Sequence, residues 1–519
     1  MCELRESREH ICRTFSRLSG MSAAVLGIYN QTKLARAVLV ASAILVSASA
    51  GTVFGSERAG AYRPHLDLTL ADTISLTLQN NIGLINAHLN RVVQRYSLKV
   101  AEDKFVPDAT IVPFVRHEAP GDAEERTSGG ISSQVSVHVP TGGRLVLTWD
   151  NVVDEGRSES WSSNWALNYT QPLLKGAGVP VNTASVKMAR IAEERNILAL
   201  KSTVMQTVSS VIVAYRRLIQ AERRLEISTR SLERAKEQLE VSRLLIQSGK
   251  MAERDIIQTE ETVASRELDL VRARNGLDDA RLALIDLLDI DARTQIRPTD
   301  SITIDPVVPD VEQSIKVAYE HRPDWLQSLL AVEVAELDLI LAENNRLWDL
   351  SASVGATFDN TSDSFDPFSE VGKGDYSARL NLNIPIGDLT RQQRYLNASI
   401  ALRRTKNDLA ELRQMIEVNV RNAVRDVEVL LLQVDLAQRR RELAEQKSAV
   451  EKDKLNRGLS TNFRVSSFED DLLQAQNSEV DTIISYLNAL TSLDRTLGTM
   501  LETWEIDITG TDGQWNENP

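Results

Sequence analysis

Two periods of hydrophobic residues organise the chain. From Ile197, apolar residues return at every seventh position: Val204, Val211, Leu218, Leu225, Leu232, Leu239 and Ile246. A second series runs Leu402, Leu409, Ile416, Ala423, Leu430, Ala437 and Ala444. Heptads sustained over this length predict helices that pack side by side as coiled coils. No proline falls between Pro180 and Pro298, or between Pro385 and Pro519, so nothing there interrupts a helix. A helix over 181–247 would be ~100 Å long at 1.5 Å per residue. Ahead of each long helix the period changes to two. Trp165, Leu167 and Tyr169 alternate with Asn164, Ala166, Asn168 and Thr170. Leu350, Ala352, Val354, Ala356 and Phe358 alternate with small or polar residues, as do Ala378, Leu380, Leu382 and Ile384. Strands are predicted over 109–116, 131–139, 144–151, 163–171, 350–358 and 376–386, with Thr141-Gly142-Gly143 turning a hairpin.

One apolar and one polar face suits a strand of a membrane barrel. The same pattern also suits a half-buried sheet in a soluble protein. The cluster Trp149, Trp161, Trp165 and Tyr169 fits an aromatic girdle at a membrane interface, without deciding between the two. Six strands are too few for a closed barrel, since bacterial barrels start at eight. Lipid does not tolerate open sheet edges. The strands are therefore expected to be shared between chains. The hairpin 131–151 is extra in the first half, and leaves open whether three chains would form twelve strands or eighteen.

The chain also repeats itself. LTLADTISLTLQNNIGLINA from Leu68 matches the pattern of VEQSIKVAYEHRPDWLQSLLA from Val311 at an offset of 241. Later an offset of 209 places Ala214 on Ala423 and Gly249 on Gly458. This predicts two copies of one elongated unit, 65–290 and 311–505, joined by a linker over 291–310 that carries Pro298, Pro306 and Pro309.

Residues 33–50 carry a basic flank (Lys33, Arg36), an apolar run and the small-residue site Ala48-Ser49-Ala50. That is the form of an export signal, so 1–50 is expected to be removed, with Met21 an alternative start. Residues 51–64 would be a linker and 506–519 a polar tail. Both cysteines, Cys2 and Cys12, precede the cleavage site, so no disulfide framework is expected. The net charge of −14 argues against a nucleic-acid partner. After residue 50 there is no continuous apolar run of the kind that builds a multispanning helical membrane protein. The histidines show no metal spacing, and neither GxxxxGK[ST] nor GxSxG is present, so no enzyme, cofactor or metal site is predicted.

With these features in place the chain resembles the TolC family of outer-membrane efflux channels. The resemblance covers nearly all of 65–505. It rests on the duplication, on NNIGL and RPDWL, on VPDA, on QPLLKGAG and IPIGDL, and on the turns QSGKMAERD and NRGLSTNFRV. It implies a mainly α fold with added β: duplicated helical hairpins forming a trimeric α-barrel, with strands shared in one transmembrane β-barrel. It further implies a homotrimer in outer-membrane lipid, with the helical part in the periplasm and 291–310 in an equatorial collar. The partners would be a periplasmic adaptor and an inner-membrane transporter of the RND or ABC type. The activity implied is passive export through the exit duct of an efflux or type I secretion system. Carried over by position, Gly249, Lys250, Met251 and Ala252, with Gly458, Leu459, Ser460 and Thr461, would contact the adaptor. Asp255, Arg464 and Ser467 fall where the family narrows its tunnel. Arg464 and Ser467 replace the acidic residues usual there, so a carboxylate ring is not expected. Asp255 is expected either to pair with Arg464, within or between chains, or to be an exposed helix charge. Two other classes remain as alternatives: a periplasmic adaptor, which needs one hairpin rather than two, and an exported coiled-coil scaffold, which needs no amphipathic strands.

Overall fold

A computed structural model describes residues 65–118, 126–155, 159–249, 251–362 and 374–507. The expected signal, the 51–64 linker, Lys250 and most of the polar tail lie outside the described residues. In chain order the elements are β1 (His65–Leu68), α1 (Leu70–Asn80), α2 (Ile82–Glu102), β2 (Asp108–Glu118), β3 (Arg126–His138), β4 (Arg144–Glu155) and β5 (Glu159–Pro172). The first long hairpin follows as α3 (Val179–Gln247) and α4 (Ile256–Leu288), then β6 (Gln295–Pro298). The second half consists of α5 (Val311–His321), α6 (Pro323–Asn344), β7 (Asp349–Ser362), β8 (Asp375–Asn383), α7 (Leu389–Asn456), α8 (Asn462–Leu497) and the short α9 (Met500–Thr503). At 69 and 68 residues, α3 and α7 are each ~100 Å long. All six predicted strands form, in one antiparallel sheet of order β2-β3-β4-β5-β7-β8.

The two halves repeat at the level of single backbone angles. Asn81 ends α1 and starts α2 at φ −62°, ψ 116°; Arg322 does the same for α5 and α6 at φ −69°, ψ 119°. These residues stand 241 apart, the offset of the sequence repeat. Asp289 and Gly498, 209 apart, end α4 and α8 in the left-handed conformation. Asp289 accepts a hydrogen bond from the amide of Ile82, which caps α2 (2.9 Å). Gly498 solves the equivalent position differently. A Cβ there would lie 2.6 Å from the His321 carbonyl, so only glycine lets the end of α8 approach the α5–α6 break.

The core sits at mid-length, where short helices cover the long ones. One cluster joins Val211, Tyr215 and Leu218 of α3 to Leu284 and Leu288 of α4 and Ile296 of β6. A second joins Ile74 and Leu84 to Val204, Val208, Ile212 and Met500. In the second half, Ile416, Val420, Val424 and Val427 of α7 pack with Ile315, Ala318 and Tyr486. These residues include the heptad positions Val204, Val211, Leu218 and Ile416. Among the described residues, one helix, α3, contains a stretch apolar enough to cross a membrane by composition. Part of that helix belongs to the core, where Val204, Val208, Val211, Ile212 and Leu218 are buried against neighbouring helices.

One element was not foreseen. β1 and β6 form a two-stranded parallel sheet, His65 opposite Gln295 through Leu68 opposite Pro298. Buried tyrosines hold this belt. The Tyr215 hydroxyl donates to the Leu68 carbonyl (2.9 Å) and reaches Asp300 (3.1 Å). In the second half the Tyr486 hydroxyl donates to the Asp305 carbonyl (2.9 Å) and accepts from the Val307 amide (3.1 Å). Beside the belt, the Arg216 guanidinium crosses from α3 to α8 and donates to the Leu487 carbonyl (2.6 Å) and Thr491 Oγ1 (2.7 Å). Burial pushes the nearby Asp494 carboxyl up to about 6, with the charge of Arg216 opposing that shift.

Candidate functional site: the hairpin tips and the strand layer

Each long hairpin reverses at a glycine. Gly249 has φ +71° and Gly458 φ +76°, a region that favours glycine. At Gly458 the capping pattern is complete: its amide donates to Leu455 (2.8 Å) and that of Leu459 to Lys454 (2.8 Å), satisfying carbonyls that the helix end leaves free. Leu459 is 72% exposed at the apex, with Phe463 exposed beside it. Met251 is half-buried and Ala252 exposed; Ser460 is half-buried and Thr461 exposed.

The two tips are tied together by a residue that sequence reasoning missed. Asn462, 4% exposed at the start of α8, donates to Ser242 Oγ of α3 (2.9 Å) and contacts Met251 Sδ (3.4 Å). Its carbonyl oxygen accepts from Gln238 (2.9 Å). One buried amide thus joins both hairpins at their ends.

The expected pairing of Asp255 with Arg464 inside one chain does not form. Asp255 is exposed immediately before α4. Arg464 instead pairs with Glu451 through Nε (3.1 Å). The reason is hairpin geometry: these residues stand seven before and six after Gly458, hence opposite each other across the turn. Glu451 is 2% exposed. It also accepts from Ser460 Oγ (2.7 Å) and meets Lys454 (3.2 Å). The hydrogen bond from Ser460, with Lys454 and Arg464, holds its carboxyl below the usual range against the opposing effect of desolvation. A signal for it existed. Glu451 lies seven residues after Ala444, so it occupies the next core position of the heptad.

The acidic run beyond the tip is also resolved into contacts. Consecutive helical residues point ~100° apart, as 3.6 residues make a turn. Glu469 therefore turns to Arg234 of α3 (2.7 Å), and to Ser448 and Lys452 of α7. Asp470 pairs with Arg266 of α4. Asp471 pairs with Lys447 of α7 (2.7 Å). Burial pushes the Glu469 carboxyl up, but the hydrogen bonds from Ser448 and Arg234 outweigh it and hold the group below the usual range. Ser467 is half-buried on the same turn.

At the other end of the molecule the sheet is two-faced. Residues directly opposite in the ladder share a face. One row runs Ala109, Val135, Leu147, Leu167, Ala356 and Tyr376 across all six strands. The adjacent row, on the other face, runs Asp108, Ser136, Val146, Asn168, Gly355 and Ser377. Trp149 lies opposite Trp165, stacked at 5.2 Å, and its indole N–H donates to Ser163 Oγ (3.2 Å). The four aromatic candidates share the apolar face but not one level. Trp161 stands four residues toward the loop end from Trp165, and Tyr169 four toward the helices. Among the described residues, the edge strands β2 and β8 each have one side without a partner strand.

An apolar-faced open sheet that continues into helices of this length is the architecture of an outer-membrane channel subunit. The profile of the outer membrane efflux protein family matches residues 73–289 and 314–499, and the chain belongs to that family. The fold is similar to that of solved channels. Against CusC the TM-score is 0.64 at 16% identity, covering 85% of this chain and 95% of that one. Against the CmeC outer membrane channel of Campylobacter jejuni it is 0.62 at 15%, covering 86% and 90%. Against VceC of Vibrio cholerae it is 0.64 at 15%, covering 83% and 96%. No curated protein sequence matches the chain.

Proposed function

We propose that three copies of this chain form the passive exit duct of a tripartite efflux or type I secretion system. The strands cross the outer membrane and the helices extend through the periplasm as a water-filled tunnel. The observation that carries this reading is the sheet. Its face is apolar where lipid would lie, its edges lack partner strands among the described residues, and it leads directly into ~100 Å helices. A row of exposed apolar residues along α7, from Met415 and Val418 through Leu432, Leu436 and Leu443 to Val450, supports packing against a neighbouring copy. Energy would come from an inner-membrane transporter, bridged by a periplasmic adaptor. The channel contributes the path and the transporter selects the solute.

The tip residues Gly249, Lys250, Met251 and Ala252, with Gly458, Leu459, Ser460 and Thr461, are the proposed adaptor surface. Asp255, Arg464 and Ser467 are the proposed narrow point of the tunnel. Exposed Leu459 above the Glu451 network supports this reading: the apex is apolar and its backbone is held from beneath. The test is Leu459→Glu. Export should fall to the level of a strain lacking the channel, while native mass spectrometry of the detergent-extracted protein still reads three copies. Undiminished export by the assembled variant removes the tip from the adaptor contact. One or two copies in the wild type would overturn the trimer itself.

A further inference from the structure

We infer that the junction between the sheet and the long helices holds an anionic phospholipid of the periplasmic leaflet by its phosphate. This rests on the outer-membrane reading above and deepens it by naming the lipid partner. The segment QPLLKGAG, which links β5 to α3, carries the site. The β5–β7 ladder continues past the strand ends. The Leu173 amide donates to the Leu350 carbonyl (2.7 Å), and the Lys175 amide to the Trp348 carbonyl (3.2 Å). Both pairs keep the register that sets Leu167 opposite Ala356. Residues directly opposite share a face, so Leu173 with Leu350, and then Lys175 with Trp348, extend the apolar face toward the helices. On its other side Leu350 is opposite Leu382, and Ile384 follows there by alternation. Trp348 is 53% exposed and Leu173 46%. The apolar face thus ends in a tryptophan beside a lysine, a combination suited to the headgroup level. Depth agrees. Trp161 lies opposite Ser362, 14 residues along the chain from Trp348. That is about 46 Å of strand, or roughly 35 Å of depth at a 40° tilt. A bilayer with its headgroups is about 40–45 Å thick. With Trp161 among the outer headgroups, Trp348 reaches the periplasmic ones.

Cations gather at the same level. Among the described residues, Lys175, Arg346 and Arg394 have no carboxylate partner. Arg346, two residues before Trp348, lies over the Tyr395 ring of α7 at 4.4 Å. The start of α7 is pinned to this spot by Arg391, whose Nη1 donates to the Leu347 carbonyl (3.0 Å). Arg391 itself is engaged: it pairs with Asp388 (3.2 Å), which also accepts from the Thr390 amide (3.0 Å). Asp349 follows Trp348 directly and so takes the other face of the strand. Glu343, exposed on the last turn of α6, is one acid against the three free cations. This local excess stands in a chain whose net charge is −14. Guanidinium forks and an ammonium match the oxygens of a phosphodiester. The acyl chains of the same molecule would lie along Leu173, Leu350 and Ile384. A free anion would use the cations alone, whereas a phospholipid uses the cations and the apolar face that runs into them. Phosphatidylglycerol fits better than phosphatidylethanolamine, whose ammonium would meet the same cations.

The test is native mass spectrometry of the detergent-extracted protein offered phosphatidylglycerol or phosphatidylethanolamine. Wild-type trimers should retain phosphatidylglycerol at least about tenfold better. Lys175→Gln, Arg346→Gln and Arg394→Gln combined should remove that preference. Lys175→Arg, Arg346→Lys and Arg394→Lys combined keep the charges and should keep it. Excess inorganic phosphate should leave the bound lipid in place; displacement would assign the cations to a free anion and overturn the lipid site. Equal retention of the two lipids by the wild type overturns it too, as does a preference that survives in the glutamine variant. The copy number separates the failures. Three copies without a lipid preference reject the site, whereas single subunits that take up neither lipid reject the channel reading itself.

Discussion

At the scale of single residues the tip is organised by a carboxylate in an apolar position. Glu451 occupies a heptad core site, and its three partners, Ser460, Lys454 and Arg464, all lie on the same hairpin. Removing its charge should loosen the turn. Glu451→Gln is expected to speed amide hydrogen exchange over 451–464 about tenfold at neutral pH. The folded-state carboxyl is held below its ordinary value, so its contribution is complete above the unfolded pKa. It is lost as pH falls through the depressed folded value. Wild-type protection should accordingly collapse only at acid pH, while the variant shows no such step. Asp494 predicts the opposite sign. Its folded pKa is raised from 3.8 to about 6, so the folded chain binds the extra proton between those values. Stability should rise by ~2 kcal/mol as pH falls from 7 to 4. Thermal unfolding against pH should show that rise in the wild type and lose it in Asp494→Asn. An identical pH profile in both proteins would remove Asp494 as the cause.

At the scale of elements, the patterns that repeat are the ones legible in the sequence. Seven-residue recurrence located α3 and α7, and two-residue alternation located all six strands of the large sheet. Asn81 and Arg322, which share backbone angles, stand at the same offset of 241 that the sequence repeat shows. What escaped has a physical reason in each case. β1 and β6 are four residues each and pair across more than two hundred positions, too short for any period to register. Glu469, Asp470 and Asp471 are adjacent in sequence, but helix geometry sends them to different neighbours, and only the arrangement of the helices says which. Arg464 was matched with Asp255 because both lie six residues past a glycine; the antiparallel turn placed Glu451 opposite instead. The α7 heptads also left a second apolar row unused by the chain itself. Leu432 is 68% and Leu436 63% exposed, so glutamate at both should leave the subunit folded. Burying those two charges between copies carries a desolvation cost of several kcal/mol. The double variant is therefore expected to keep wild-type helicity by circular dichroism and to run as single subunits on native gels. A stable trimer would mean that the row faces water.

At the scale of the whole molecule, the aromatic residues bear on where the membrane would lie in the proposed channel. Trp161, the Trp149–Trp165 stack and Tyr169 share the apolar face at successive levels separated by four residues. Four residues of strand are about 13 Å along the chain, or about 10 Å of depth at a 40° tilt. A single girdle row cannot hold all of them. If Trp161 sits at the outer headgroups, the Trp149–Trp165 pair lies inside the hydrocarbon. There its indole N–H would have no water, which accounts for the hydrogen bond from Trp149 to Ser163 within the sheet. Tyr169 then lies toward the periplasmic side, its hydroxyl donating to Gln171 (2.6 Å). Depth-resolved fluorescence tests this placement. In single-tryptophan variants reconstituted in lipid brominated at mid-chain, Trp165 should be quenched about twofold more than Trp161. The order should reverse when bromine is placed near the headgroup. Equal quenching of both at every depth would show that this face does not meet lipid, and the polar row of Asp108, Ser136 and Asn168 would then have to be the outer one. That outcome would set charged and amide groups against hydrocarbon, at several kcal/mol for each group left unsatisfied.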